Sequence, residues 1–416
     1  MLNQRFPSPT LAGAAPRWLE AMWRPAALRG LLAAAAAALG LAACGGGGSH
    51  DTVVTPPPVA SVTGPGEFKT ATALKTIAAA DVAAVLAAAG PSAPPATPRY
   101  AVATYRLTYV TIDSQGKEVV ASGLVAVPAK AAGAASPVIS YQHGTIFKDA
   151  EAPSNNVAAS EPPIIMASMG YLVVAADYVG YGTTKGTPHP YLLSTPTAAA
   201  VVDLLTAAKT WRQKNAVADN GQLFLVGYSE GGYATMAAHR AMQTAGSAHL
   251  AQLVGSVPGA GPYDLGATLD YQLDRVRDKN PLIGGLLSPG LLRLLGSTVR
   301  DEVRRQLIKA LLPGDADVSF QGTFVDNYLA DDNTAIERDS NVKNWKPALP
   351  VRMYHGRDDQ TVPYVAATRT LQAMQALGAT TATLTDCPAS PASHLGCVPP
   401  YFTFMLNQLA PVARDL

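Results

Sequence analysis

Three short segments hold the side chains from which covalent chemistry could be built. "GYSEG", Gly227–Gly231, sets a serine between glycines at the end of an apolar run. "HGRDD", residues 355–359, sets two adjacent carboxylates behind a histidine. "CPASPASHLGC", residues 387–397, holds His394 between two cysteines ten positions apart, in a chain with only three. A serine hydroxyl is a poor nucleophile at neutral pH and needs a positioned base. Imidazole is the commonest base, and a carboxylate on its far nitrogen fixes the tautomer and stabilises the imidazolium. A serine, a histidine and a carboxylate brought together would suit acyl transfer.

The elements that must position these groups can be read from periodicity. "YAVATYRLTYVTID" and "KEVVASGLVAVP" alternate apolar and polar residues around "SQG", which predicts an antiparallel hairpin. "PVISYQHG" and "YLVVAADYVGYG" are short apolar runs ending in glycine, as buried parallel strands do. "TPTAAAVVDLLTAAKTWRQKN" reads as an amphipathic helix, and "GQLFLVGYSEGGYATMAAHRAMQ" as a strand, a sharp turn and a helix. A nucleophile on such a turn needs neighbours without side chains where backbone approaches backbone, which the two glycines supply. "AQLVGSVPGAG" and "LPVRMYHGRDDQTVP" are further strands with loops; a helix, a strand "ATTATLTD" and a helix "PPYFTFMLNQLAPVA" follow. The alternation describes an α/β sheet with helices on both faces. Residues 67–90 carry Ala, Leu, Ile and Val at helical spacing up to Gly90, so a helix is expected there, followed by a linker to 98.

The set "YQHGT", "DYVGYG", "GYSEGGYATMA", "GPYDL" and "HGRDD" resembles the α/β-hydrolase superfamily, in its secretory lipase and esterase branch. It also overlaps with secreted peptidases of the prolyl-oligopeptidase type. The resemblance implies the α/β-hydrolase fold and the chain order nucleophile, acid, histidine. The histidines stand at 50, 143, 189, 239, 249, 355 and 394, and only the last two follow Ser229 by enough to come from later strands. His355 precedes the acids of its own loop, which leaves His394 as the base. "HGRDDQTVP" is similar to the superfamily's H-G-x-x-D-x-x-V-P loop, a register that selects Asp359 over Asp358; Asp386 is an outside candidate within the histidine loop. The implied oxyanion donors are backbone N–H groups of Glu230 and of the loop at His143 and Gly144. The side chains of His143 and Glu230 receive no chemistry. Glu after the serine, where lipases often have a small or apolar residue, weighs for esterase over lipase. Residues 262–346 read as helical pieces without a strand pattern and match the superfamily's cap, inserted before the strand that carries the acid.

The N-terminus carries Arg24, Arg29 and then "GLLAAAAAALGLAAC", a basic region, a short apolar region and small residues, as in a secretory signal. Met22 is an alternative start to Met1. "LAAC" before "GGGGS" resembles a bacterial lipobox, which implies cleavage before Cys44 to remove 1–43, lipid on the Cys44 thiol and, with Gly45 next, the outer membrane; a secreted protein is the alternative. Residues 44–66 then form a flexible tether. With Cys44 lipidated in an oxidising compartment, Cys387 and Cys397 are left to form a disulfide that stiffens the loop of His394.

The expected organisation is therefore signal 1–43, tether 44–66, helix and linker 67–98, hydrolase core 99–261, cap 262–346 and core 347–416. A formal net charge of +1 with 15% charged residues offers no basic patch for nucleic acid. No internal repeat, metal-ligand spacing or cofactor fingerprint is visible, and serine acyl transfer needs no cofactor. The partner expected is a small-molecule or lipid ester, with the membrane reached only through the lipid anchor. The reading is a carboxylesterase or lipase acting through an acyl-enzyme on Ser229. A serine peptidase, which should carry an acidic anchor for a substrate amine, and a non-catalytic surface lipoprotein are the alternatives.

Overall fold

The computed structural model describes residues 62–279 and 312–416, together with positions 301, 304, 305 and 308. The expected signal segment, Cys44 and most of the tether lie outside the described residues, as do the Leu-rich piece at 281–296 and most of the piece after it. No helix among the described residues is long and apolar enough to cross a membrane.

The chain runs β1 (Phe68–Ile77), α1 (Ala79–Ala89), β2 (Val102–Ile112), β3 (Glu118–Pro128), β4 (Ser136–Gln142), α2 (Pro162–Ser168), β5 (Leu172–Ala176) and α3 (Ser194–Lys214). It continues with β6 (Asp219–Tyr228), α4 (Glu230–Thr244), β7 (Leu253–Gly259), α5 (Leu265–Lys279), α6 (Thr323–Leu329), α7 (Asn333–Asp339), β8 (Val351–His355), α8 (Tyr364–Ala376), β9 (Ala382–Asp386) and α9 (Val398–Leu409). The strands form one sheet in the order β1-β2-β3-β5-β4-β6-β7-β8-β9. The β1, β2, β3 and β5 contacts are antiparallel, and every contact from β5 to β9 is parallel.

Alternation along β6 explains why its run is apolar throughout. Leu223 and Leu225 pack with α3 and α4 on one face, while Phe224 and Val226 pack with α2 and α9 on the other. From β4 the chain turns to β5 on one side, and from β6 to β7 on the other. The carboxyl ends of β4 and β6 thus border the switch point where open α/β sheets keep their ligands.

One expected element is corrected. Residues 67–90 are not a single helix: β1 occupies 68–77, and only 79–89 is helical. "FKTATALKTI" is almost wholly exposed along β1. Its backbone pairs antiparallel with β2, from Phe68 opposite Tyr109 to Ile77 opposite Val102. The hairpin of β2 and β3 presents a free edge, and three β-branched threonines suit the added strand. That lateral pairing outweighs the helical spacing of a few alanines and leucines.

Candidate active site

Ser229 sits between β6 and α4 with φ 61° and ψ −125°, a left-handed conformation that a non-glycine residue adopts only when its surroundings impose it. The surroundings are backbone. A Cβ on Gly231 would lie 2.0 Å from the Gln142 carbonyl oxygen, and one on Gly227 would lie 2.3 Å from the Gly231 oxygen. The turn is also tied from below: the Ser229 N–H donates to the Gly259 carbonyl (2.9 Å), and the Gly227 N–H donates to the Tyr401 hydroxyl (2.8 Å). Tyr401 in turn donates to the Val257 carbonyl at 2.6 Å.

The structure brings His394 to this turn. Its Nε2 lies 2.9 Å from Ser229 Oγ, and its Nδ1 lies 2.6 Å from Asp359 Oδ2. Asp359 can only accept once ionised, so Nδ1 carries the hydrogen and Nε2 is left to accept from the serine. Asp359 is 3% exposed. Its other oxygen accepts the N–H groups of Thr361 (2.8 Å) and Val362 (2.9 Å). His355 Nε2 lies 3.3 Å from Oδ2 and donates to the Val362 carbonyl at 2.9 Å. Burial alone would raise the Asp359 carboxyl, but the bonds from His355 and His394 outweigh it and hold the group well below the ordinary carboxylate range.

The histidine loop lies between β9 and α9 and has little regular structure. Cys387 and Cys397 are joined as expected, with Cα atoms 5.9 Å apart and both side chains buried. Further ties are also present. The Ala392 N–H donates to Asp358 Oδ2 (2.8 Å), and the Tyr228 hydroxyl donates to the His394 carbonyl (2.7 Å). Asp358 thus holds the loop from beneath without touching the imidazole. Asp386 faces elsewhere: it accepts from Arg357 Nε at 2.8 Å and from the Tyr364 hydroxyl at 2.5 Å.

The loop after β4 passes beside Ser229. A Cβ on Gly144 would stand 3.3 Å from the Tyr228 carbonyl oxygen and 3.7 Å from Ser229 Cβ. The first N–H groups of α4, Glu230 among them, have no intrahelical partner, as at any helix start. The His143 ring turns away, with Nδ1 2.7 Å from the Gly144 carbonyl oxygen and the ring stacked on Tyr178 (centroids 4.1 Å). Burial pushes its pKa down and keeps it neutral.

Some of the supporting groups have no local sequence signal. Asp177 is fully buried and accepts from Ser122 Oγ (2.6 Å), Ser154 N (2.8 Å) and Ser154 Oγ (2.6 Å), which pins the loop after β4 to the sheet. Glu230 and His189 form a second such pair, 2.6 Å apart and almost fully buried. A depression adjoins Gly144, with Tyr141, Glu151, Asn156, Glu161 and Pro162 in its lining. Burial pushes the Glu161 carboxyl up to about 8; Asn156 opposes the shift and Glu151 adds to it.

Comparisons with known proteins agree with this architecture. The family model for secretory lipases matches residues 162–277, which span the turn at Ser229. No curated protein is similar to the chain at the level of sequence. Among solved structures, the rice cell wall degrading esterase LipA from Xanthomonas oryzae superposes with a TM-score of 0.63 at 22% identity, over 84% of this chain and 100% of that one. A Legionella pneumophila protein superposes at 0.64 and 24% identity, over 82% and 96%. Candida antarctica lipase A in its closed state superposes at 0.51 and 19%, over 79% and 78%. The chain therefore has the α/β-hydrolase fold, and from 162 to 277 its sequence is similar to the secretory lipases.

Proposed function

We propose that this protein is an exported serine hydrolase of carboxylic esters. The observation that carries the reading is the unbroken bonded path from Ser229 Oγ through His394 to Asp359, on turns that the α/β sheet holds at its carboxyl edge. Ser229 attacks the ester carbonyl while His394 takes its proton at Nε2. Asp359 stabilises the imidazolium and keeps the ring in register. The N–H of Glu230 and the backbone around His143 and Gly144 receive the developing oxyanion. His394 then protonates the leaving alcohol, and water repeats the sequence on the acyl-enzyme. These steps need no metal or organic cofactor.

Likeness to secretory lipases supports both ester substrates and export. The signal-like segment 1–43 and lipid attachment at Cys44 complete the proposal for location, with residues 262–346 as the cap over the site. A peptidase reading draws on one observation: Glu151 and Glu161 line the depression beside Gly144, where a substrate amine could find an acidic anchor. A panel of nitrophenyl esters and aminoacyl anilides, run on wild type and Ser229→Ala, separates the readings. Ester turnover that disappears in Ser229→Ala is expected. Preferential anilide cleavage would favour the peptidase, and undiminished turnover in the variant would remove Ser229 from the chemistry.

A further inference from the structure

Glu230 is an awkward residue to place next to a serine nucleophile. Its backbone N–H is the proposed oxyanion donor, yet its own side chain is a carboxyl, only 2% exposed. A bare carboxylate there would repel the negative charge that the N–H is meant to receive. The structure shows what prevents this. Glu230 Oε1 lies 2.6 Å from His189 Nε2, while His189 Nδ1 lies 2.8 Å from the Val179 carbonyl oxygen. A carbonyl only accepts, so Nδ1 carries a hydrogen. The Nε2 contact must then hold a second proton, shared between an imidazolium and a carboxylate or between an imidazole and a carboxylic acid. In both cases the pair has no net charge.

Among the described residues, no other group near the pair does this. The ionisable groups that sense the Glu230 charge are His143, Tyr178, Tyr181, Tyr191 and Tyr233. Burial holds the histidine down and the tyrosines up, so all five are neutral. Among the described residues, the ion pair of Glu230 is with His189. Its second oxygen, Oε2, is buried without a hydrogen-bond partner. The His189 ring is itself enclosed, with ring centroids of Tyr181 at 5.1 Å and Phe320 at 5.6 Å.

We infer that His189 is a positioning residue which neutralises Glu230 and so makes the N–H beside Ser229 fit to hold an oxyanion. The inference rests on the proposed acyl transfer at Ser229. Its role is separable from a structural one, although His189 also has a structural one: its N–H donates to the Ser319 carbonyl and its carbonyl accepts from Gln321 N, both at 2.8 Å. The His189→Phe substitution leaves both of those backbone groups in place.

The test is a rescue. His189→Phe keeps the ring packing and removes the proton donor. A Glu230 carboxylate left without a partner would oppose the oxyanion directly, and kcat should fall by more than about tenfold. KM should stay within about threefold of wild type, because the ground-state ester carries no charge there. Adding Glu230→Gln to His189→Phe removes the charge and should recover at least about tenfold of the lost kcat. A double variant no better than His189→Phe, or a His189→Phe variant as fast as wild type, overturns the inference. Should His189→Phe fail to fold, proton NMR of the wild-type protein decides. Two far-downfield exchangeable protons are expected, one lost in Asp359→Asn and the other in Glu230→Gln; a single one, lost in Asp359→Asn, overturns it. Full activity in Ser229→Ala would instead defeat the parent reading.

Discussion

Replacing Cys387 and Cys397 together by alanine tests how His394, the proposed base, is held. On the chain-entropy model a closed loop of about ten residues contributes roughly 2.5–3 kcal/mol. Both sulfurs are buried, and losing each adds about 1 kcal/mol of transfer free energy. The double variant should therefore lose about 4–5 kcal/mol, at the lower edge of what a folded domain usually holds in reserve. Other ties survive: Asp358 still accepts from Ala392 N, Tyr228 still donates to the His394 carbonyl, and Asp359 still accepts from Nδ1. The imidazole should thus shift without leaving the site. Since a displacement of about 1 Å can cost on the order of 100-fold, kcat/KM should fall about 10- to 100-fold while circular dichroism at room temperature stays native. Ester hydrolysis, urea titration and a thiol count on the denatured wild type are the assays. Two free thiols in the wild type, or a double variant with full kcat/KM, would refute the reasoning and leave the loop positioned by its hydrogen bonds alone.

Asp359→Asn should lower kcat by about 10³–10⁴-fold through the wrong tautomer of His394. Asp358→Ala, which cuts only the tie to Ala392 N, should cost no more than about 30-fold; the reverse ranking would make Asp358 the acid. Glu161 has a folded pKa raised from 4.5 to about 8. Its folded form favours the proton, so its penalty is absent below about pH 4.5 and grows as pH rises towards 8. Glu161→Gln should raise Tm by about 2–4 °C at pH ~9, after allowance for partial exposure, and leave it unchanged at pH ~4. An equal shift at both pH values would mean a packing effect. Cys44→Ala should release a soluble enzyme with unchanged turnover, and a wild-type protein whose N-terminus carries no added lipid mass would contradict the anchor.

The parts legible in the sequence are those whose physics is local. The strand, turn and helix around Ser229 could be read because an apolar run, two small residues and a helical repeat lie side by side within about twenty positions. His394 followed from the chain order that the resemblance supplied, and the structure sets its ring within hydrogen-bond distance of Asp359 and Ser229. Partnership across the fold left no trace. Glu230 finds His189 forty-one positions away, and Gly227 finds Tyr401 across 174. Neither partner sits in a motif that names the other. The helix expected over 67–90 failed for the same reason, since β1 exists only because β2 offers it an edge. Asp358 was read as a competitor for the role of Asp359; only the geometry shows it bonded to the loop backbone.

Ser229 is the residue proposed to carry the acyl group. The most direct measurement is mass spectrometry of the enzyme quenched during turnover of a slowly deacylating nitrophenyl ester. One acyl mass per chain on the peptide bearing Ser229, absent in Ser229→Ala, is the expected result. An acyl group on any other side chain, or steady hydrolysis with neither a burst nor an adduct, would contradict the account.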